Sequence, residues 1–478
     1  MKEKINLKDL NIIYVFTSIM FVVGFLQFSF FSNLDNNFDP NVFIYIYLVF
    51  GAVIFITFRK KINFNFTQVI YFSLYSKLAI IIIQILVYLI SNTFNESNEV
   101  EYYEILSKVL LGEYSFKYGE IRNGIPPGYQ AWILLNYFGY MKTFDPFWKL
   151  IVFSAINMAI DTLVLLFVQK LGRSKDLLKY NHNKEGNGEE SNQNLNLGIL
   201  IYSISIFNIY YFNLRNFMDP IAILLGIIGI YCYYEGKFVF SSIFLSLSAI
   251  IKILSIFWIL IIVLQLLKDK KVKQLFGFIF TAASIILISF YIAAAFAGVH
   301  FLNYLLEFFP LMREWSEIAG KGIQLNQVYT FYLSTDIYYI LILGSVTAVA
   351  IIMVFFGKNQ KSLHIFSAVL AIYIILQPWY DQRYFLWILP LLCVDLIRSR
   401  NKFRIIFLLM YVSILIYIFC LHFVYEFDIN TFLDDDPRFV GLFYRIFGQS
   451  LSFIAFIYII QIEFQYQFRF RKIIPEIN

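Results

Sequence analysis

The stretch VIYFSLYSKLAIIIIQILVYLI, residues 69–90, decides the fold class, because it is almost wholly apolar and long enough to cross a bilayer as a helix. Further apolar runs of roughly 20 residues recur along the 478-residue chain. The chain is 60% hydrophobic and 15% charged, and its mean hydropathy is +0.69, unlike the balance of soluble domains. A transmembrane barrel would show short alternating segments instead. The sequence therefore predicts an all-α, polytopic transmembrane helical bundle.

Basic clusters and acidic loops alternate along the chain, and this alternation orients the predicted helices. Basic clusters follow predicted spans at 59–61, 170–184, 268–273, 398–404 and 469–472. Since basic loops stay in the cytosol, the pattern predicts an integral, multi-pass protein with about fourteen spans and both termini cytosolic. The formal net charge of +6 is then a topogenic signal, and it requires no nucleic-acid partner.

The predicted spans divide the chain into two regions and three long connections. Residues 1–61 are predicted to form an extra N-terminal transmembrane hairpin, and residues 62–478 the main catalytic module. Within that module, residues 93–147 form an outer loop, 169–196 a flexible cytosolic loop and 298–335 a second outer loop. The first outer loop carries four glutamates within nine residues, so we expect it to be a catalytic loop of amphipathic helices.

Ionisable residues also recur at the expected outer ends of several spans. They are costly at a membrane boundary and therefore mark a candidate functional site. The set is Glu99, Glu101, Glu104, Arg122, Arg215, Asp219, Lys252, Asp381 and Arg383. Cations on this side are expected to be held by an anion, either a protein carboxylate or a lipid phosphate. A carboxylate that faces such cations could take the proton from an acceptor hydroxyl bound beside the phosphate.

The order of these residues resembles the GT-C class of integral-membrane glycosyltransferases. The first luminal loop of that class is similar to the run Glu99-x-x-x-Tyr103, Ile105-Leu106, Leu110-Leu111-Gly112, Tyr114 and Pro126-Pro127-Gly128-Tyr129. The resemblance continues in Arg215-Asn216-x-x-Asp219-Pro220, in Ser248-Ala249-Ile250-Ile251-Lys252 and in Asp381-Gln382-Arg383-Tyr384-Phe385-Leu386-Trp387 before Pro390. The last of these stretches is similar to one in the GPI-anchor mannosyltransferases.

The resemblance implies transfer of a hexose, with mannose as one candidate, from a polyprenyl-phosphate donor at the outer or luminal membrane face. The acceptor would be a lipid, a glycan or a protein, and the anomeric centre would be inverted. The lipid-phosphate sugar is a co-substrate, and no cofactor or metal is expected.

The resemblance also assigns roles to residues of this chain. It places the catalytic base on Glu99, four residues before Tyr103, with Glu101 as the second candidate. Many relatives carry Asp, or an Asp-x-Asp pair, at this point. Donor-phosphate binding is expected from Arg215, Lys252, Arg383 and Arg122. Substrate contacts are expected from Tyr103, Tyr129, Asp219, Asp381 and Gln382.

The same residues could instead have purely structural roles. Glu99 and Glu101 could form the solvated face of a surface helix, while Arg215 and Lys252 could anchor the chain at the lipid headgroups. Arg383 could pair with its neighbour Asp381.

Two further functions also remain open. A secondary transporter or flippase for a lipid-linked or polar substrate would use similar charges, but it would place some of them near the bilayer midplane. The ionisable residues of the set above are expected at one face, which favours the enzyme. A polymerase of lipid-linked glycans would share the loop acids without requiring the run at 126–128.

Overall fold

The computed structural model describes residues 64–91, 146–174, 188–205, 208, 219–296, 300–303, 335–357, 363–376, 384–395, 402–413, 416 and 450–467. All regular structure in these ranges is helical, and no strand occurs within them. The all-α prediction is therefore confirmed for this part of the chain.

The helices are labelled in chain order. They are α1 (Phe66–Ser91), α2 (Pro146–Gly172), α3 (Gly188–Ser203), α4 (Asp219–Tyr234), α5 (Phe238–Ile251), α6 (Ile256–Lys268), α7 (Val272–Phe296), α8 (Thr335–Phe356), α9 (Leu363–Leu376), α10 (Phe385–Asp395) and α11 (Ser450–Gln467). A 3₁₀ turn, Ile253–Ser255, precedes α6, and residues 402–413 are also helical. The predicted span at 69–90 corresponds to α1.

Two helices extend into the predicted cytosolic connection 169–196: α2 ends at Gly172 and α3 begins at Gly188. The cytosolic placement of this connection stays a prediction. The polar start of α3 is held by packing against α2 and by a contact with the start of α1. Leu195 lies so close to α2 that a Cβ on Gly172 would be 2.7 Å from its side chain. Asn196 donates its side-chain amide to the carbonyl of Phe64 at 2.9 Å. These tertiary contacts are not visible in a polar stretch of sequence.

A tight turn joins α4 to α5. Gly236 adopts a positive φ of 73°, which a residue without a Cβ reaches at no steric cost. The amide of Lys237 donates to the carbonyl of Cys232 at 2.8 Å, and that of Gly236 to Tyr233 at 3.0 Å. This pair of bonds is the Schellman arrangement that ends a helix. The chain therefore reverses here, and α4 and α5 pack along each other.

The next two helices, α5 and α6, form a second hairpin with its tip at Lys252. The backbone of Lys252 is extended, with φ −141° and ψ 124°, between the two helices. Lys271, just beyond α6, lies 5.5 Å above the ring of Phe238 at the start of α5. Because α6 ends where α5 begins, the chain reverses direction at Lys252.

The basic residues of several connections gather at one end of the helix bundle. Lys268 donates to the carbonyls of Val354 at 2.5 Å and Phe355 at 3.1 Å, so α6 and α8 end together. Phe167 of α2 and Tyr231 of α4 have ring centroids 5.9 Å apart near the ends of their helices. The residues at this end are Lys170, Arg173, Lys237, Lys268, Lys270, Lys271 and Lys273. The residues Asp219 and Lys252 lie at the opposite end of α4 and α5.

Two of the described helical segments are long and apolar enough to cross a membrane by length and composition, Ser154–Gly172 and Val272–Ala295. Buried core helices of soluble proteins can meet the same criterion. The two segments differ in packing, since 44% of the apolar window is buried in the first and 17% in the second. The span count of about fourteen, and the orientation, stay predictions.

Candidate functional site

Two predicted site residues that are distant in sequence come together at the tip of the α5–α6 hairpin. The Oδ2 atom of Asp219 lies 4.0 Å from the Nζ atom of Lys252. Asp219 is wholly buried, whereas the Lys252 side chain is 15% exposed. Asp219 and Pro220 open α4, which suits both residues, because an acid is favoured at a helix N-terminus and Pro needs no amide partner there. The start of α4 thus presents a carboxylate to the ammonium of the hairpin tip.

A third stretch of the chain completes this site through Trp387, in the first turn of α10. Its indole Nε1 donates to the Oδ1 atom of Asp219 at 2.8 Å, across 168 residues of sequence. The Oδ2 atom of Asp219 has no hydrogen-bond partner among the described residues. The indole therefore fixes the orientation of the carboxylate and leaves Oδ2 on the side of Lys252.

Aromatic packing holds Trp387 in place. The Trp258 and Trp387 rings are 5.8 Å apart and tilted by 52°, and both residues are fully buried. Trp258 lies against Gly226 of α4, where a Cβ would meet its Cζ3 atom at 2.3 Å. A residue without a side chain is thus required at position 226 for the indole to reach this place.

Two serines tie the break at Lys252 to α4. The Ser248 hydroxyl donates to the carbonyl of Ala222 at 2.6 Å and lies 2.5 Å from the Ser255 hydroxyl. Since a hydroxyl has one proton to donate, Ser255 is the donor in the second bond. The amide of Lys252 donates to the carbonyl of Ser248 at 2.9 Å. The hairpin tip is therefore anchored on both sides of Lys252.

This arrangement offers a paired, partly accessible ammonium at the end of a buried network. A lysine ammonium has three donors, so Lys252 can bind a phosphate oxygen while it remains near Asp219. The other predicted site residues lie outside the described residues: Glu99, Glu101, Tyr103, Arg122, Tyr129, Arg215, Asp381, Gln382 and Arg383.

Sequence reasoning missed a buried ion pair near the middle of α1 and α2. The Nζ atom of Lys77 contacts the Oδ2 atom of Asp161, and both side chains have zero exposure. The amide of Asn208 donates to Oδ1 of Asp161 at 2.7 Å. A signal was present, because both charged residues fall inside predicted spans, where an ionisable group marks a functional or paired position.

A second contact between ionisable side chains joins α9 and α11. The Nδ1 atom of His364 contacts the Oε2 atom of Glu463, which is wholly buried, while His364 is 13% exposed. Like Lys77 and Asp161, His364 and Glu463 lie outside the set of ionisable residues expected at one face, so that expectation stays a prediction. A partner on a neighbouring helix offsets the cost of burying a charge.

Comparison of the chain with protein-family models, with curated proteins and with solved structures finds no match.

Proposed function

We propose that the protein is a membrane glycosyltransferase of the GT-C type, which transfers a hexose from a polyprenyl-phosphate donor to a lipid, glycan or protein acceptor. One observation carries the proposal: Asp219, Lys252 and Trp387, from three stretches that resemble this class, meet at one end of the bundle. Each stretch alone is a weak signal. Convergence of separate motifs on one polar site is what an active centre requires.

The exposed surface of α7 supports the membrane setting of this proposal. Five large apolar residues form a stripe along the helix at intervals of four or seven residues: Val272 57%, Phe276 69%, Phe280 76%, Leu287 49% and Tyr291 63% exposed. The stripe is about 28 Å long at the usual helical rise, close to the thickness of a bilayer core. Contiguous apolar surface of this extent is typical of contact with lipid or a partner rather than with water.

The short hairpin helices support a site that is recessed from the membrane surface. With 14 residues, α5 is about 21 Å long, whereas the hydrocarbon core is about 30 Å thick. If the basic end of the bundle lies at the inner membrane interface, α5 is too short for Lys252 to reach the outer interface, and Lys252 lies within the hydrocarbon core. A charge at that depth needs a partner, and Asp219 supplies it. A lipid-linked phosphate can approach such a position because its chain already lies in the bilayer.

The proposed reaction is a single displacement at the anomeric carbon. Glu99, or Glu101, takes the proton of the acceptor hydroxyl as the hydroxyl oxygen forms its bond to that carbon. The bond from the carbon to the phosphate oxygen breaks, and polyprenyl phosphate leaves with the electron pair. Lys252 stabilises the charge of the departing phosphate, and Arg122, Arg215 and Arg383 are expected to share this role. One displacement inverts the anomeric centre.

The base assignment is tested by sugar transfer in reconstituted membranes. We expect Glu99→Gln to abolish transfer from a polyprenyl phosphosugar, with Glu101→Gln less affected. Unchanged transfer in both variants would remove this assignment.

A transporter or flippase for a lipid-linked or polar substrate is the second candidate, and the Lys77–Asp161 pair favours it. Paired charges midway along helices are the arrangement expected of a translocation path. The hydroxyls of Ser73, Ser76 and Ser154 are also buried on α1 and α2, and they have no hydrogen-bond partner among the described residues. Movement of a fluorescent lipid-linked sugar across the bilayer of proteoliposomes by the wild type, without any sugar transfer, would establish this function instead.

A further inference from the structure

A basic rim lies at the end of the bundle opposite the Asp219–Lys252 site. We propose that this rim, formed by Lys237, Lys270, Lys271 and Lys273, binds the headgroup of an anionic phospholipid whose acyl chains lie along α5 and α7. The inference rests on the membrane setting of the proposed function but does not depend on sugar transfer.

Two carboxylates, Glu235 and Asp269, lie at the same end of the bundle as the four rim lysines, which leaves this group with a formal net charge of +2 (four cations less two anions). Lys237, Lys270 and Lys273 are exposed, and none of them has an ion pair within the described residues. Only Lys271 has a carboxylate partner, Asp269, at 3.4 Å. A phosphate diester would supply the missing negative charge, and lysine ammonium groups bind it as point charges.

The backbone holds these lysines in a defined turn. Lys270 has a positive φ of 55°, and its amide donates to the carbonyl of Leu267 at 3.1 Å. The amide of Lys271 donates to the carbonyl of Leu266 at 3.0 Å. Lys273 then falls in the first turn of α7, where a cation opposes the helix dipole and a bound anion would relieve the repulsion. The turn therefore fixes the backbone positions from which Lys270, Lys271 and Lys273 extend.

An exposed apolar face begins directly below the rim. Val239 and Phe240 of α5 are 51% and 57% exposed, and Phe276 and Phe280 of α7 are 69% and 76% exposed. The two helices are joined where the Ser242 hydroxyl donates to the carbonyl of Phe278 at 2.7 Å. Open space lies above Gly277, where a Cβ would meet no atom within 4 Å. Basic charge beside exposed apolar side chains matches one phospholipid better than it matches a soluble anion.

The experiment measures the binding of phosphatidylglycerol to the full chain in phosphatidylcholine nanodiscs, by native mass spectrometry. Two charge-matched variants are compared: Lys270→Gly with Lys273→Gln at the rim, and Lys170→Gln with Arg173→Gln at the end of α2. Each cation near a lipid surface contributes about fivefold in affinity for an anionic lipid. The rim variant loses two cations, so it should bind phosphatidylglycerol roughly 30-fold more weakly. The α2 variant should change by less than about threefold.

Three results would overturn the proposal. Equal losses in both variants would mean that the lipid responds only to surface potential. Equal binding of phosphatidylglycerol and phosphatidylcholine would remove the headgroup preference. If millimolar glycerol phosphate, which has no acyl chains, displaced bound phosphatidylglycerol as well as added phosphatidylglycerol does, the apolar face would play no part in binding. If the double variant does not fold, Lys273→Gln is compared with Lys170→Gln, and only the former should lose about fivefold.

Discussion

Replacing Lys77 tests whether the buried pair in α1 and α2 stabilises the bundle. In Lys77→Met the Asp161 carboxylate, which has zero exposure, keeps only the 2.7 Å bond from Asn208 among the described residues. Breaking a buried pair by removing one partner costs about 3–5 kcal/mol. We expect Lys77→Met and Asp161→Asn each to lower the free energy of unfolding by an amount in that range.

The double variant Lys77→Met/Asp161→Asn distinguishes coupling from two independent losses. It removes both charges and leaves an oxygen at position 161 to accept from Asn208, so we expect it to cost less than either single change. The assay is unfolding by dodecyl sulfate in mixed micelles, followed by helical circular dichroism.

A matched surface control is Asp269→Asn. It removes the partner of Lys271, a pair with 25% and 36% exposed side chains, and should cost less than about 1 kcal/mol. If Lys77→Met and Asp161→Asn each cost less than about 1 kcal/mol and add in the double variant, the two charges are not buried together as described.

Three further predictions concern the candidate site and the basic end. Gly226→Ala should displace Trp258, whose ring lies 2.3 Å from the new methyl position, and should lower the free energy of unfolding by about 1–3 kcal/mol with a change in near-ultraviolet circular dichroism. Trp387→Phe removes the donor to Asp219 and should cost about 1–3 kcal/mol in the same unfolding assay, while equal stability would mean that the hydrogen bond is not made. In Lys270→Gly, glycine adopts the left-handed backbone of position 270 without a steric clash of Cβ, so the free energy of unfolding should rise by about 1 kcal/mol. A lower free energy of unfolding would contradict the turn geometry.

The described helices follow from sequence because apolar length is a local property. Charge placement is local too, and it predicts which end of a helix carries a residue such as Lys237. The polar start of α3 does not follow, because Leu195 and Asn196 are held by contacts with Gly172 and Phe64 that no local pattern encodes.

The candidate site follows from sequence only in part. Asp219 and Lys252 stand out in the sequence because charges at span ends are costly. Their contact, and the bond from Trp387, depend on how α4, α5 and α10 pack, which composition cannot supply. Lys77 and Asp161 are recognisable in the sequence as charges within spans, but their pairing is not.

The proposed role of Lys252 in sugar transfer can be measured with variants of that residue. Transfer from a polyprenyl phosphohexose is measured in proteoliposomes for the wild type, Lys252→Gln, Lys252→Arg and the control Lys170→Gln at the end of α2. Removing one stabilising cation from a departing phosphate is expected to cost at least about 100-fold in rate, with partial retention in Lys252→Arg and no loss in Lys170→Gln. Transfer that is unchanged in Lys252→Gln, or absent from the wild type with every such donor, would contradict the proposed mechanism.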